Sequence, residues 1–247
     1  MKKWTFRRIL RTVWIAAGLA FMGWLFYSYQ SHGVDDHWSK DTAAVRVQCT
    51  GDFFRFTPTG RYDKVMIFYP GALVDPEAYV PLCRQIADSG VQVYLIRMPG
   101  RMAMYGYNKP IALNLLSDTA KTYILTGHSQ GAKMAAQFVY EHPGLIDKLV
   151  LIGTTHPRDI SLADRKLPVL KIYGSRDGVA DVADIEANKG NLPATAEFVR
   201  IEGANHAQFG YYGFQFGDNS ATISRSEQQT ETLKHILAFV DASPVYF

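Results

Sequence analysis

Cysteine is scarce in this chain: Cys49 and Cys83 are the only two among 247 residues. Neither lies in a Cys-x-x-Cys pair or a metal-ligand spacing, and the seven histidines contain no His-x-x-x-His. Bound zinc needs ligands clustered in such spacings, so the sequence predicts no structural or catalytic metal, and nothing in it asks for a cofactor. A disulfide framework is excluded as well. One bridge is open to the two thiols if the body is exported, and two isolated buried thiols satisfy the sequence equally. Surplus charge is also lacking once the N-terminus is set aside. Lys2, Lys3, Arg7, Arg8 and Arg11 are five of the 26 basic residues, and no acid falls in the first 30 positions. The remaining 21 basic residues meet all 23 acidic ones, a net of −2, which leaves no nucleic-acid footprint on the body. No internal repeat and no second globular domain is visible.

A single long apolar run stands out against this background. Thr12 to Tyr29 contains no charge over 18 residues, close to the ~20 that carry a helix across a bilayer. Trp24, Tyr27 and Tyr29 gather towards one end, as interface anchors do. A cleaved signal peptide has a shorter apolar core of about 7–15 residues, and no small-x-small cleavage site appears between Phe26 and Trp38. Residues 1–30 are therefore read as a basic N-terminus with an uncleaved transmembrane signal anchor. The positive charges should stay in the cytoplasm, so a single-pass protein of the cell membrane is expected, its body extracytoplasmic. Residues 31–44 are polar and patternless and read as a tether, and 45–247 as one domain.

Within that domain, Val45–Cys49 and Phe53–Thr57 read as a hairpin around Thr50-Gly51-Asp52. Apolar strands are expected at Val65–Tyr69, Val91–Ile96, Tyr123–Leu125, Leu149–Gly153, Pro168–Gly174 and Ala196–Ile201. Helices are expected from Asp75-Pro76 to Gly90, at Ile111–Ser117, from Ala132 to about Glu141, and at Val179–Asn188. A last helix follows the capping-box pattern Ser224-Arg225-Ser226-Glu227 and should bury Leu233, Ile236, Leu237 and Val240. Strands alternating with helices argue for a mostly parallel sheet covered on both faces.

The chemistry gathers where strands end, as it does in open α/β sheets. Gly127-His128-Ser129-Gln130-Gly131 joins a strand to a helix and has the Gly-x-Ser-x-Gly form of a nucleophile elbow. The turn is sharp enough to strain Ser129 and push its hydroxyl clear of the sheet, and glycines on either side let strand and helix pack closely. Asp177 follows the Val169–Tyr173 strand in Gly174-Ser175-Arg176-Asp177-Gly178, and His206 follows the Phe198–Ile201 strand in Gly203-Ala204-Asn205-His206. The order Ser, Asp, His is the hydrolase order of a triad. Each residue also has a plainer reading: Asp177 as a helix cap, with Asp181 and Asp184 as alternative acids, and His206 as a turn residue. His128 is expected to pack against the elbow, since elbow neighbours point away from the serine hydroxyl.

On these residues the chain resembles the α/β-hydrolase family, over roughly Val65 to Val240. Tyr69-Pro70-Gly71-Ala72, the elbow, Gly174-x-x-Asp177 and Gly203-Ala204-Asn205-His206 carry the resemblance. More narrowly it looks like the compact, lidless branch related to dienelactone hydrolases, including membrane-anchored bacterial members, and His206 to Gly213 is part of that likeness. Two departures bear on function. Dienelactone hydrolases usually carry a cysteine nucleophile where this chain has Ser129, so their substrate is not carried over. Many relatives have His-Gly where this chain has Pro70-Gly71. The resemblance implies an oxyanion hole from the backbone N–H groups of Gln130 and Ala72. It also implies attack by Ser129 on a small-molecule acyl substrate, with His206 as the base and Asp177 holding its tautomer.

A serine ester or thioester hydrolase acting through an acyl-enzyme is the function this implies. Acyl transfer and peptide cleavage use the same triad, and a non-catalytic binding protein on the same scaffold is the alternative of another class. Met98, Met102, Met104, Tyr105, Phe209, Tyr211 and Tyr212 can line an apolar pocket or simply pack loops. Thr154–Leu167 is too short for a helical cap, which predicts an open site favouring short acyl chains. Oligomeric state is not legible.

Overall fold

The computed structural model describes residues 5–242; Lys2, Lys3 and the final stretch 243–247 lie outside the described residues. Helix α1 (Phe6–Ser28) comes first, long and apolar enough to cross a membrane, with a mean hydropathy of 1.6 over its best window. At 1.5 Å per residue its 23 residues reach about 34 Å, against a hydrocarbon core of about 30 Å. Its side chains are almost all exposed, Ser28 at its end being the buried exception.

The hairpin forms as read, β1 (Val45–Cys49) antiparallel to β2 (Phe53–Pro58). Then come β3 (Lys64–Tyr69), α2 (Val80–Asp88) after a 3-10 turn at Pro76–Tyr79, and β4 (Gln92–Ile96). The single turn α3 (Lys109–Ala112) precedes β5 (Thr122–His128), α4 (Gln130–Glu141), β6 (Lys148–Ile152) and β7 (Val169–Gly174). Last are α5 (Val182–Ala187), β8 (Glu197–Ile201) and α6 (Arg225–Asp241). The strands form one sheet in the order β1-β2-β4-β3-β5-β6-β7-β8, parallel from β4 to β8. One core lies under α2 and α6 and contains Phe56, Met66, Phe68 and Ile236; the other lies under α4 and contains Ile67, Leu125, Phe138 and Leu151. No helix stands between β6 and β7.

Local physics explains where elements differ from expectation. The helix expected at Ile111–Ser117 is a single turn that starts earlier, because Pro110 fits the first turn of a helix. Helix α5 starts at Val182 and not Val179, because Asp181 is its cap, accepting from Ala183 N–H at 2.7 Å. The capping box of α6 forms in both directions. Of the stripe expected, Ile236 and Val240 are buried and Leu233 and Leu237 half-buried, and Gln228, Gln229, Thr232 and Phe239 are buried with them. Lys148 on β6 points its ammonium at the C-terminal end of this helix, donating to the carbonyls of Phe239, Val240 and Ala242 at 2.8, 3.1 and 2.6 Å. A cation there meets the negative end of the helix dipole. Both cysteines are free, Cys83 buried in α2 and Cys49 exposed.

The stretch between α1 and β1 lies along the domain. Arg84 of α2, itself buried, donates to the Lys40 carbonyl at 2.8 Å and to Thr42 Oγ1 at 2.7 Å. Nearer the helix, Tyr29 O accepts from Asp75 N–H at 2.9 Å, and Arg101 bridges Gln30 Oε1 and Asp75 Oδ2 at 3.1 and 3.0 Å.

Candidate active site

Strand β5 delivers Ser129 to the carboxyl edge of the sheet, and α4 leaves at once. Ser129 has φ 54° and ψ −119°, a region that costs a non-glycine residue about 1–3 kcal/mol. Close approach holds it there. A Cβ on Gly127 would overlap the backbone of Gly131, and one on Gly131 would overlap the Tyr69 carbonyl oxygen. The elbow is thus a three-way contact of β3, β5 and α4 that admits no side chain at either glycine.

The loop after β3 passes directly beside this turn. A Cβ built on Gly71 would lie 3.6 Å from Ser129 Cβ and 2.9 Å from Tyr79 Oη, so the loop backbone runs beside the serine. The N–H groups of Ala72 and Gln130 donate to no protein acceptor among the described residues. Gly71 N–H donates to Tyr79 Oη at 3.1 Å, and Tyr79 Oη lies 2.8 Å from His128 Nδ1. Burial pushes the Tyr79 phenol well up, so it keeps its proton and donates it to Nδ1. Burial also holds His128 well below the usual histidine range, and the neighbouring His206 adds to this. The neutral ring then carries its proton on Nε2. His128 is fully buried, as a packing residue behind the elbow, with its ring 4.6 Å from that of His206.

Asp177 and His206 are brought together from two different strand ends. Their side chains are buried, and Asp177 Oδ2 lies 2.8 Å from His206 Nδ1. The other carboxylate oxygen accepts from the N–H groups of Val179 and Ala180 at 2.9 and 2.6 Å, so one acid both closes a turn and holds the imidazole. Asp181 caps α5 and Asp184 lies 3.6 Å from Arg158; neither reaches the imidazole. His206 Nε2 is buried and has no protein partner among the described residues; no hydrogen bond joins it to Ser129.

Two groups that the sequence did not single out shape the histidine loop. Asp218 accepts from Gly178 N–H and His206 N–H, both at 3.1 Å, and from Ala207 N–H at 2.8 Å. One carboxylate therefore ties the acid loop to the histidine loop. Buried Gln228 of α6 accepts from Asn205 N–H at 3.1 Å and donates to the Asn205 carbonyl at 2.8 Å. This is why α6 buries glutamines: the loop needs partners for its backbone. The apolar set divides. Phe209, Tyr212 and Met98 are buried packing, whereas Met104 and Tyr105 are exposed, Met104 Sδ lying 4.0 Å from Gln130 Nε2.

Residues 65–230 match the description Alpha/beta hydrolase family. No curated protein matches the chain. Ferulic acid esterase from Streptomyces cinnamoneus is similar in structure at 16% identity, with a TM-score of 0.59 over 74% of this chain and 68% of that one. Est1E from Butyrivibrio proteoclasticus is similar at 14% identity, with a TM-score of 0.57 over 81% and 100% of the two chains. A soluble variant of monoglyceride lipase from Saccharomyces cerevisiae is similar at 10% identity, with a TM-score of 0.59 over 82% and 96%. Likeness at such identities shows a shared fold, and the match over more than half of the sequence shows more: the chain belongs to the alpha/beta hydrolase family.

Proposed function

We propose that the protein is a serine ester or thioester hydrolase, anchored in the cell membrane by α1 with its domain extracytoplasmic. The observation that carries this reading is the buried Asp177–His206 pair at the same sheet edge as a serine held at positive φ. Ser129 Oγ attacks the acyl carbonyl as His206 Nε2 takes its proton; the tetrahedral oxyanion accepts from the N–H groups of Ala72 and Gln130. Collapse breaks the ester bond, His206 returns the proton to the leaving alcohol or thiol, and the acyl group stays on Ser129. Water, deprotonated by the same nitrogen, attacks the acyl-enzyme and releases the acid and the free serine. Asp177 keeps the imidazole proton on Nδ1 and stabilises the imidazolium. Catalytic hydrogen bonds are often long before substrate binds, which fits the unpartnered Nε2 of His206. Neutral His128, beside His206, adds no charge to oppose the imidazolium. The absence of a helix between β6 and β7 supports the likeness to the compact, lidless branch related to dienelactone hydrolases.

A fluorophosphonate tests this, because it reacts with an activated serine. Wild type should be labelled at Ser129, Ser129→Ala not at all, and Asp177→Asn far more slowly, all with native circular dichroism. A folded wild type that is never labelled and cleaves no ester or thioester would remove the catalytic reading.

A further inference from the structure

The end of α1 meets the domain at its catalytic edge. Ser28 Oγ donates to the Phe214 carbonyl at 2.5 Å, Gly213 N–H donates to the Ser28 carbonyl at 2.7 Å, and His32 N–H donates to the Tyr211 carbonyl at 2.7 Å. These partners belong to the segment that follows His206. Tyr29 and Gln30 bind Asp75 and Arg101, on the loops after β3 and β4, so the helix is joined to the loop that carries Ala72 as well.

The contact continues along the helix itself. The Phe214 ring lies 5.9 Å from that of Trp24, and the Phe216 ring lies 6.1 Å from that of Phe21, edge to face. Phe21 is seven residues before Ser28, about 10 Å further along the axis. A side chain in ring contact with a membrane helix sits at the same depth, so Phe216 is below the surface wherever Phe21 is. Phe214 and Phe216 are otherwise exposed, at 50% and 69%.

The rest of that edge is apolar too. Leu73 stands exposed beside Ala72 on strained backbone at φ 63°, and Met104 and Tyr105 are exposed after β4. Such side chains on adjoining loops form a patch of the kind that marks an interaction surface, and Arg101, which accepts from Leu73 N–H and donates to Gln30, ties these loops to the end of α1.

We propose that the carboxyl edge of the sheet lies against the outer leaflet, with Phe214 and Phe216 inserted beside α1. The substrate is then a membrane-resident acyl amphiphile that presents its carbonyl to Ser129 from the leaflet. This rests on the reading of α1 as an anchor and of Ser129 as the nucleophile. A site that takes its substrate from the leaflet needs no helical cap to cover the acyl chain, so the missing cap goes with a long chain held in lipid and not with the short chain expected from the sequence.

The test uses the full chain reconstituted in phosphatidylcholine–phosphatidylglycerol vesicles. Phe216→Cys in a Cys49→Ser background, Cys83 being buried, takes an environment-sensitive fluorophore; Leu145→Cys, exposed at the opposite edge, is the control. The label at 216 should be quenched by nitroxide lipids and shielded from iodide, and the label at 145 the reverse. Umbelliferyl octanoate partitioned into the vesicles should be cleaved with kcat/KM about ten-fold above umbelliferyl acetate in water, a difference of about 1.4 kcal/mol. Protein that fails to float with vesicles would overturn the anchor and this proposal with it. Protein that floats and cleaves the acetate, with 216 as open to iodide as 145, would overturn the orientation alone. A leaflet-embedded 216 with the acetate cleaved as fast as the octanoate would overturn the substrate class.

Discussion

Ser129 and His206 both stand at the carboxyl edge of the sheet, yet the backbone around them is held by different means. Around Ser129 the constraints are steric: Gly127 and Gly131 on either side, and the end of β3 packed against them. Around His206 they are polar and distant in sequence. Asp177 is 29 residues from His206 and Asp218 12, while Gln228 is 23 from Asn205, and each contributes hydrogen bonds that can be lost one at a time. A steric turn fails as a whole, whereas a polar scaffold weakens by degrees. The largest effect should therefore come from the elbow. Gly131→Ala puts a methyl group into the Tyr69 carbonyl, where only backbone can yield. Overpacking that side chains can absorb costs about 1–3 kcal/mol; this should cost more, a large share of a total stability of about 5–15 kcal/mol. Loss of soluble folded protein is expected, while Gly190→Ala, with nothing near the added carbon, should behave as wild type in urea unfolding. A Gly131→Ala protein of native stability would break the contrast.

On the histidine side the graded response is sharpest at Asp218. Asp218→Asn keeps the size and one acceptor oxygen but turns an amide N–H2 towards a backbone donor, Gly178 and His206 on one side or Ala207 on the other. Losing charge-assisted hydrogen bonds of this kind costs about 1.5–3 kcal/mol each at most. Because the carboxylate touches no reacting atom, the change should fall on kcat, by about ten-fold for a barrier rise of about 1.4 kcal/mol, with KM nearly unchanged. Fluorophosphonate labelling should slow in parallel. An equal loss of stability with kcat untouched would make Asp218 structural only.

The same contrast governs what could be read from residues alone. The elbow was legible because its chemistry and sterics fix three of five consecutive positions, Gly127, Ser129 and Gly131. The strands, the hairpin and the capping box were legible for the same local reason. Asp218 and Gln228 were not, since a turn acid in Gly217-Asp218-Asn219 and two glutamines in a helix have no local signature of their targets. The stripe expected on α6 holds at Ile236 and Val240 and turns polar towards the start of the helix, where Gln228 and Gln229 are buried against the backbone of the His206 loop. Tyr79 falls inside the helix expected from Asp75-Pro76 to Gly90, and its hydroxyl contact to Gly71 and His128 depends on three separate segments meeting.

His128 belongs to the elbow by sequence and touches His206 in space, so it allows the smallest and most selective test. Its pKa in the fold is held well below 6.5, by burial first and then by His206. In the unfolded chain it takes a proton near 6.5. Its contribution to stability is therefore complete above about pH 6.5 and is lost as pH falls towards the depressed folded value, because the unfolded state then binds the extra proton. His156 acts with the same sign, burial and then Lys133 lowering it to about 4, so its window runs from about 6.5 to about 4. Being half-exposed, it should weigh less. Each histidine can add a slope of up to about 1.4 kcal/mol per pH unit below 6.5. Urea unfolding between about pH 7 and 5 should show wild type weakening steadily, His128→Asn weakening with a shallower slope, and His156→Gln lying between them. The slope is the readout, not the stability at neutral pH, because asparagine can still accept from Tyr79 but cannot titrate. If wild type and His128→Asn weaken in parallel, the ring is not held neutral by the fold, and nothing would keep its charge from opposing the imidazolium at His206.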